Sequence, residues 1–334
     1  MTDPTQAPPP ISDNAHFEDP GSARRALTGR PVVCIGTFDG VHRGQQAILT
    51  TGRALAKANN TQLLAITFHP HPKSVVAPHT APLLLTEPAE KTALLKYFGV
   101  DIVLQLHFDW ELASMPASRF LDEIIHRDLD AAAVVIGHDF GFGKGRGGSP
   151  ESLVEWGRVT GRQVEVIQPV TDDILNQRIS SSLIRESLVG GLFDQAERLL
   201  GHAYPVSGEI VAGAARGRRL GYPTWNLALS GSKLPPPVGI YAGWAGRRVP
   251  HPAMVYYGSN PTFEGKRLCL EAHLLNIDEP EAAKPERVET IWLTAYVRPE
   301  IRFENADALK QQLEDDERVV RKMMSTPREK NPQH

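Results

Sequence analysis

The stretch that decides the fold of the first half of this chain is Val32-Val33-Cys34-Ile35-Gly36-Thr37-Phe38-Asp39-Gly40-Val41-His42-Arg43-Gly44-Gln45. Its four leading apolar residues predict a buried strand, and the glycines after them predict a tight turn into a helix. Glycine lets backbone N–H groups approach a phosphate, and a helix N-terminus favours an anion. His42 adds a donor that can become cationic as negative charge develops. The stretch therefore predicts a site for the phosphates of a nucleotide.

Around this stretch, short apolar runs alternate with amphipathic segments. We expect buried strands at residues 32–35, 63–68, 102–106, 133–136 and 164–167, with helical patterns between them. Strands that alternate with helices favour a parallel sheet with both faces covered. Because ligands of such sheets bind beyond the carboxyl ends of the strands, the turn after residue 35 is expected at the binding edge.

The pattern changes near residue 190. Short alternating segments at residues 209–211, 224–229, 239–244, 268–275 and 290–297 predict a small antiparallel barrel or sandwich. Residues 306–324 have the charge and the apolar periodicity of a single helix with one buried side. We therefore expect a mobile N-terminal tail over residues 1–30, an α/β domain over 31–188, a helical linker over 189–204 and a β domain over 205–334.

Composition and charge narrow the function classes. The 334 residues are 41% hydrophobic and carry a formal net charge of −3, so the chain has no overall basic charge for nucleic acid. An apolar run of about 18 residues is absent from the sequence, and the first ten residues lack the apolar core of a secretory signal, so we expect no membrane span. Cys34 and Cys269 stand in apolar runs, which favours buried thiols over a disulfide. We expect a cytoplasmic protein.

Three further segments fit a nucleotide pocket. His69 and His71 follow the second predicted strand, and since they lack partners at zinc spacing they favour a ligand-shaping loop over a metal site. Residues 137–148 combine glycines, two aromatic residues and two cations, which is typical either of a loop that binds a flat ring and phosphate or of a flexible surface loop. Residues 180–185 place serines at a helix N-terminus with Arg185 one turn later, which indicates either an anion site or a plain N-cap.

These segments resemble the nucleotidyltransferase module of bacterial FAD synthetases. Residues 36–45 resemble its G-x-F-D-G-x-H-x-G-H signature, residues 179–185 its I-S-S-T-x-I-R element and residues 68–72 its F-x-P-H-P stretch. The resemblance implies a Rossmann-like nucleotidyltransferase domain in which the signature histidines bind ATP phosphates and stabilise the transition state as pyrophosphate leaves. By that resemblance His42 is catalytic. The nucleotide-binding residues that the resemblance implies are Gly36, Phe38, Asp39, Gly40, Gln45, Ser181, Ser182 and Arg185.

One position departs from that signature, because Gln45 stands where the second histidine is expected. Glutamine donates a neutral hydrogen bond but cannot become cationic. Charge-assisted hydrogen bonds are about twice as strong as neutral ones, so the change costs roughly 1–3 kcal/mol of transition-state stabilisation. That free energy corresponds to a rate about tenfold to a hundredfold lower. We therefore expect adenylyl transfer that is slowed rather than absent.

A second set of candidate residues lies in the β domain. Residues 213–226 place Gly217 and Arg218 in a basic, glycine-rich turn that leads into a strand, which is typical of a phosphate-binding loop or of a solvated hairpin. Downstream, residues 268–274 alternate, so that Glu271 and His273 share the face opposite to the leucines. Glu271 is either a general base for a hydroxyl that attacks a phosphate or a charge on the wet side of a barrel.

This half resembles the riboflavin kinase module of the same bifunctional enzymes. Its G-x-P-T-A-N motif appears as residues 221–226, with Gly221 and Pro223 ahead of the functional pair and Trp225 in place of the small residue. The resemblance implies that Thr224 and Asn226 serve Mg²⁺ and ATP and that Glu271 is the base toward the riboflavin 5′-hydroxyl. It covers nearly all of the chain from residue 31 onward.

The resemblance thus implies a bifunctional enzyme that makes FMN from riboflavin and then FAD from FMN. The expected ligands are riboflavin, FMN and ATP as substrates and Mg²⁺ as the cofactor, with no nucleic acid and no membrane. The sequence gives no basis for predicting an oligomeric state. Two alternatives stay open. In one, the chain is a riboflavin kinase only, with its first module impaired by Gln45. In the other, it is a non-catalytic protein that binds flavin or nucleotide.

Overall fold

The chain folds into two compact units whose boundaries do not follow the order of the sequence. The computed structural model describes residues 5–11, 16–212, 221–259, 268–275 and 285–325. An α/β unit takes residues 12–84 and 91–180, and a barrel unit takes residues 1–11, 85–90 and 181–334. Residues 85–90, from the middle of the first half of the sequence, therefore belong to the barrel unit.

A five-stranded parallel sheet forms the centre of the α/β unit. Its strands are β1 (Val32–Ile35), β2 (Leu63–His69), β3 (Ile102–His107), β4 (Ala133–Gly137) and β5 (Gln163–Ile167), in the order β3-β2-β1-β4-β5. The five strands expected from the apolar runs are confirmed to within one residue at each end, but β5 lies at the edge of the sheet and is half-buried rather than buried. Because β1 lies between β2 and β4, the strand order reverses beside it. The turn after β1 is thus at the position where open parallel sheets bind ligands.

Helices and short strands surround this sheet. They are α1 (Pro20–Ala26), α2 (Arg43–Ala58), α3 (Pro72–Val76), α4 (Pro88–Tyr97), α5 (Trp110–Ser114), α6 (Ala117–Arg119, continued by a π-helical stretch Phe120–Asp128), α7 (Pro150–Thr160), β6 (Thr171–Asp172) and β7 (Gln177–Arg178). Helix α4 begins in the barrel unit and continues in the α/β unit from Lys91. The apolar face that residues 120–125 predict packs into the core of the α/β unit.

The sequence predicts a mobile tail over residues 1–30, but from residue 16 onward the structure shows a strand pairing and a helix. Phe17 pairs with Leu104 of β3, and residues 20–26 form α1. The Asp19 side chain caps this helix by accepting a hydrogen bond from the Ser22 backbone N–H at 2.8 Å, and Ala23 lies in the core. A seven-residue helix is too short to show helical periodicity, so its main sequence signal is the N-cap Asp19 followed by Pro20.

A closed six-stranded barrel forms the second unit, as the alternating segments predict. Its antiparallel strands are β8 (Tyr204–Ile210), β9 (Trp225–Leu229), β10 (Gly239–Ala245), β11 (His251–Ser259), β12 (Leu268–Leu274) and β13 (Val288–Arg298), in the order β10-β11-β12-β9-β8-β13. Helices α8 (Ser181–Val189), α9 (Phe193–Leu200) and α10 (Ala306–Ser325) belong to the same unit. Strand β11 is missing from the sequence prediction because Pro252 interrupts its pattern.

The terminal helix α10 packs against the barrel. Val320 is buried, and Leu313, Met323 and Met324 lie against a cluster that includes Ile240 of β10. The guanidinium of Arg298 on β13 makes a two-pronged ion pair with Asp316 of α10, at 2.8 Å from Nε to Oδ1 and 2.6 Å from Nη2 to Oδ2. The helix expected over residues 306–324 is therefore confirmed, and its apolar side closes one part of the barrel core.

A buried ion pair anchors residues 85–90 inside the barrel unit. The ammonium of Lys233 lies 2.6 Å from Oε2 of Glu90 and donates to the carbonyl of Leu85 at 2.7 Å, and both charged side chains have no exposed surface. The second carboxylate oxygen of Glu90 accepts the backbone N–H of Ser207 at 2.7 Å. The Lys233 ammonium also sits 4.5 Å from the ring centroid of Tyr204. Both charges are thus hydrogen-bonded, as burial requires.

Two further expectations from the sequence concern the cysteines and membrane-spanning helices. Cys34 and Cys269 are both buried free thiols, which confirms the interpretation as small apolar residues. Cys34 donates to the carbonyl of Ile48 at 3.5 Å inside the α/β unit. Among the helices of the described residues, none combines the length and the apolar character needed to cross a bilayer.

Candidate active sites

The turn after β1 has an unusual backbone. Phe38 and Val41 have φ angles of 47° and 41°, and Gly40 has a φ of 90°. Left-handed φ angles are strained for residues with a side chain, at a cost on the order of 1–3 kcal/mol each. Phe38 and Val41 are both fully buried, so packing holds them in place. Strained backbone of this kind clusters at active sites and at places where a ligand is clamped.

Hydrogen bonds from three side chains hold this turn. The Thr67 hydroxyl donates to the carbonyl of Thr37 at 3.0 Å, and the Lys91 ammonium donates to the same carbonyl at 3.3 Å. The side-chain amide of Gln46 donates to the carbonyl of Val41 at 2.8 Å. The turn is therefore fixed from β2, from α4 and from the first turn of α2.

His42 and Gln45 form a reciprocal cap at the start of α2. The backbone N–H of Gln45 donates to Nδ1 of His42 at 3.4 Å, and Oε1 of Gln45 accepts the backbone N–H of His42 at 3.1 Å. Because Nδ1 accepts a hydrogen bond, the proton of the neutral ring lies on Nε2. The Gln45 side chain thus holds the first turn of the helix and, through it, the ring of His42.

Gly44 leaves room for that ring. A Cβ at position 44 would lie 3.2 Å from two ring atoms of His42 and 3.5 Å from the carbonyl oxygen of Ile179. The glycine of the H-x-G spacing is therefore explained by the packing of the histidine that precedes it. The same contact places residue 179 against the turn, immediately before α8 begins.

Cationic side chains gather at this edge of the sheet. Nη1 of Arg43 lies 3.5 Å from Oδ2 of Asp172, whose side chain is 1% exposed. Arg178, on β7, contacts Nε2 of His138 at 3.0 Å and Oδ2 of Asp139 at 2.5 Å. The hairpin formed by β6 and β7 therefore supplies the partners that orient these groups. Asp172 and Arg178 are absent from the sequence prediction, because neither stands in a recognisable motif.

The glycine-rich loop after β4 is an ordered structure. Phe142 and Gly148 exchange two backbone hydrogen bonds, of 3.1 and 2.9 Å. The rings of Phe140 and Phe142 stack with their centroids 5.4 Å apart, and Phe142 reaches the core. Arg146 donates to the carbonyl of Asp139 at 2.9 Å. Internal hydrogen bonds and core packing of Phe142 thus stabilise this loop, and its binding of a flat ring or of phosphate stays a prediction.

The His-Pro-His stretch also has a structural role. Nδ1 of His71 accepts the backbone N–H of Lys73 at 3.2 Å and so caps α3. The ring of Phe68 packs edge-on against Phe108, with centroids 5.7 Å apart. Within the described part of the chain, no group of three or more His, Cys, Asp or Glu is arranged to hold a metal ion.

The serine-rich element is divided between the two units. Residue 180 belongs to the α/β unit, whereas Ser181, Ser182 and Arg185 lie on α8 in the barrel unit. Ile184 and Leu188 are buried on one side of this short helix, whereas Ser182 in its first turn is exposed. The remaining predicted residues of the first site, Gly36, Phe38, Asp39, Gly40, His42 and Gln45, all lie in the turn after β1 or at the start of α2.

The barrel unit brings three other predicted residues together. In the strand register, Glu271 of β12 stands opposite Asn226 of β9. The Thr224 hydroxyl donates to Oε2 of Glu271 at 3.4 Å, and the Asn226 amide donates to the backbone carbonyl and the hydroxyl of Thr224 at 3.3 and 3.4 Å. Gly221 has a φ of 89°, and the Pro223 carbonyl contacts Nδ1 of His273 at 3.0 Å. The predicted residues Gly217 and Arg218 lie outside the described residues.

Two tyrosines that the sequence prediction lacks flank this group. Tyr256 of β11 stands opposite Glu271 and donates its hydroxyl to Oε1 of Glu300 at 2.6 Å. Burial raises the pKa of Tyr256, and the charges of Glu300 and Glu271 raise it further. Burial likewise raises the pKa of Tyr222 to about 12, with a further contribution from Glu317. Both hydroxyls therefore stay protonated and serve as donors near neutral pH.

Lys91 is a further residue at the edge of the α/β sheet that the sequence prediction lacks. The signal for it is its spacing, because Lys91, Leu94 and Leu95 follow the i, i+3, i+4 pattern of a buried helix face. A lysine on such a face is rarely buried without a task. Here it is 6% exposed, and it donates to backbone carbonyls in the turn after β1 and at the end of β2.

Two family models match separate parts of the chain. The model described as FAD synthetase matches residues 25–183, and the model described as riboflavin kinase matches residues 200–324. The first matched range includes the turn after β1, and the second includes Thr224, Asn226 and Glu271.

Curated proteins and a solved structure are similar over most of the chain. Proteins named bifunctional riboflavin kinase/FMN adenylyltransferase from Escherichia coli (strain K12) and Pseudomonas fluorescens are 34% and 35% identical, over 87% of this chain and 91% and 92% of their own lengths. One from Bacillus subtilis is 29% identical, over 94% of this chain and 98% of its own. A crystal structure titled as a macrolide-efflux protein from Streptococcus pneumoniae has a TM-score of 0.74 and 29% identity, and it covers 89% of this chain and 96% of that one. The similarity therefore includes both units.

Proposed function

The chain belongs to the family of bifunctional riboflavin kinase/FMN adenylyltransferases, and on this premise we propose which of its residues carry each reaction. The enzyme phosphorylates riboflavin with ATP to give FMN, and it then transfers AMP from a second ATP to FMN to give FAD and pyrophosphate. The convergence of Thr224, Asn226 and Glu271 across neighbouring strands is the observation that carries the proposal for the first step.

In the barrel unit, Glu271 acts as the general base. Its carboxylate accepts the proton of the riboflavin 5′-hydroxyl as that oxygen attacks the γ-phosphorus of ATP and the bond to the β–γ bridging oxygen breaks. The Thr224 hydroxyl, 3.4 Å from Oε2 of Glu271, orients the carboxylate. Tyr256, the partner of Glu271 in the register of the neighbouring strand, keeps its hydroxyl protonated and donates it to Glu300.

Thr224 and Asn226 are suited to a magnesium ion that accompanies ATP. Mg²⁺ prefers oxygen ligands, and the Thr224 hydroxyl and the Asn226 carboxamide supply two neutral oxygen atoms beside a carboxylate. The amide nitrogen of Asn226 donates to Thr224, and its carboxamide oxygen, which accepts a weak hydrogen bond from the Cys269 thiol at 3.9 Å, is the atom of this side chain that can bind a cation. When bound, Mg²⁺ supplies charge neutralisation of the transferred phosphoryl group.

In the α/β unit, the turn after β1 and the start of α2 bind the phosphates of ATP. The N–H groups of Gly36, Val41 and His42 donate within the protein, so we assign the phosphates to the N–H groups of the intervening turn and to the positive end of α2, which favours a negatively charged ligand. The Nε2–H of His42 donates to the phosphates as a phosphate oxygen of FMN attacks the α-phosphorus and pyrophosphate leaves. Gln45 supports this ring through the cap and supplies no cation of its own.

A time course of the flavins tests the proposal. The purified chain is incubated with riboflavin, ATP and MgCl₂, and the flavins are separated by chromatography. FMN that appears first and then gives way to FAD is the expected result. FMN without FAD would restrict the chain to the kinase step, and unchanged riboflavin would leave a protein that binds flavin or nucleotide without turning it over.

A further inference from the structure

The buried ammonium of Lys91 joins two loops of the adenylyltransferase site. Thr37 follows β1 and Phe68 lies near the end of β2, and these strands are neighbours in parallel register. The Lys91 Nζ atom lies 3.3 Å from the carbonyl oxygen of Thr37 and 3.1 Å from that of Phe68. One charged group, 6% exposed, thus holds both carbonyls at the edge where the ligand binds.

The bond to Thr37 fixes the peptide that opens the strained turn. In a trans peptide the C=O and the N–H of one plane point in opposite directions. Lys91 and Thr67 both donate to the Thr37 carbonyl, so the N–H of Phe38 in the same plane points away from them. The left-handed φ of 47° at Phe38 follows directly after that plane. Release of the carbonyl would let this peptide rotate toward an unstrained conformation.

We propose that Lys91 is a positioning residue for adenylyl transfer, whose ammonium orients the Thr37–Phe38 peptide so that its N–H group meets the phosphates of ATP. This inference rests on the adenylyltransferase function proposed above. Lys91 acts from behind the turn, through the backbone, and its charge adds to the positive potential under the phosphates. A charged donor makes the stronger bond to the carbonyl, which is what a strained turn requires.

The test measures both half-reactions of the full-length Lys91→Met variant. Methionine keeps the length of the side chain and its apolar contacts but removes the ammonium. We expect the kcat for FAD formation from FMN to fall about tenfold to a hundredfold, and the KM for ATP in that reaction to rise severalfold. The KM for FMN and the rate of FMN formation from riboflavin should stay within a factor of about two of wild type.

Two further variants give the matched controls. Lys96→Met makes the same change on the same helix, where the ammonium donates to the carbonyl of Asp101 at 3.2 Å, and it should leave both reactions unchanged. Thr67→Val removes the other donor to Thr37 without loss of volume, and it should raise the KM for ATP about threefold. If Lys91→Met gives no folded protein, Thr67→Val becomes the test of the inference. An unchanged KM for ATP in Thr67→Val would then overturn it.

The outcomes separate this inference from the function on which it rests. A wild-type kcat and KM for ATP in Lys91→Met overturns the role of Lys91 alone. An equal fall in FMN and FAD formation with every KM unchanged also overturns it, because that pattern is a loss of folded protein. Absence of FAD with the wild-type chain overturns the adenylyltransferase proposal and the role of Lys91 with it.

Discussion

The two phosphate-binding sites that we propose for this enzyme are stabilised in different ways. In the α/β unit the turn after β1 depends on backbone conformation, with two buried residues at positive φ and a capped helix start. In the barrel unit, Thr224, Asn226 and Glu271 depend on strand register, which sets side chains of adjacent strands beside one another. A site made of backbone groups is sensitive to the residues that fix its dihedral angles. A site made of side chains is sensitive first to those side chains themselves.

The largest effect is expected for Glu271, the proposed general base of the barrel site. Glu271→Gln keeps the shape of the side chain but removes the proton acceptor, so FMN formation should fall about a hundredfold to ten-thousandfold. FAD formation from supplied FMN should continue at the wild-type rate. Glu209→Gln, on the exposed side of β8, is the matched control and should leave both rates unchanged. FMN formation above a tenth of the wild-type rate in Glu271→Gln would show that the carboxylate is not the base.

The barrel unit also depends on the segment that it takes from the first half of the chain. Lys233→Met leaves the carboxylate of Glu90 buried and unpaired, which should lower the free energy of unfolding by about 3–5 kcal/mol. Denaturant unfolding followed by tryptophan fluorescence measures the loss.

The double variant Glu90→Leu/Lys233→Met removes both charges and is the control for this pair. It should recover most of the lost stability, because apolar residues of similar size replace a buried ion pair at little cost. A double variant as unstable as Lys233→Met would mean that loss of volume, rather than an unpaired charge, is the cause.

The comparison of the two sites also explains what the sequence predicts well. Apolar runs locate β1 to β4 because these strands are almost entirely buried, and they locate the half-buried edge strand β5 through Val164 and Val166, which pack against the core. Thr224, Asn226 and Glu271 are predicted from the sequence because their proposed roles depend on residue type, and in the structure Thr224 contacts both of the others. The capping contact of Gln45 with His42 is also local, but the motif spacing predicts a phosphate ligand there and not a cap.

Other features depend on partners that are far apart in sequence. Lys91 and Thr37 are 54 residues apart, and Glu90 and Lys233 are 143 apart. No local periodicity encodes which buried carbonyl or carboxylate a lysine will meet. Strand β11 is missed for a different reason, since Pro252 breaks the pattern of a strand whose pairing with β10 nevertheless continues through Trp244.

A third prediction restores the cation that the family signature contains. Gln45→His adds a ring that can be protonated at the start of α2, so FAD formation should rise about tenfold to a hundredfold, while FMN formation stays unchanged. The rate should rise further as the pH falls toward the ordinary pKa of histidine, because the added group stabilises the transition state only when charged. A rate equal to wild type would mean that another cation, such as Arg43, already supplies the charge.

The smallest effect is expected at Gly44, where the backbone site is tested without a change of any polar group. Alanine within a helix is usually favoured over glycine by about 1 kcal/mol, so Gly44→Ala should not lower the stability of α2 by itself. Its Cβ would meet the His42 ring at 3.2 Å, so the ring must shift. A shift of a few tenths of an ångström in a transition-state donor should slow FAD formation about tenfold, and FMN formation in the same preparation reports that the chain is folded. FAD formation at the wild-type rate would mean that the ring position carries no part of the catalysis, and the α/β site would then depend on its backbone N–H groups alone.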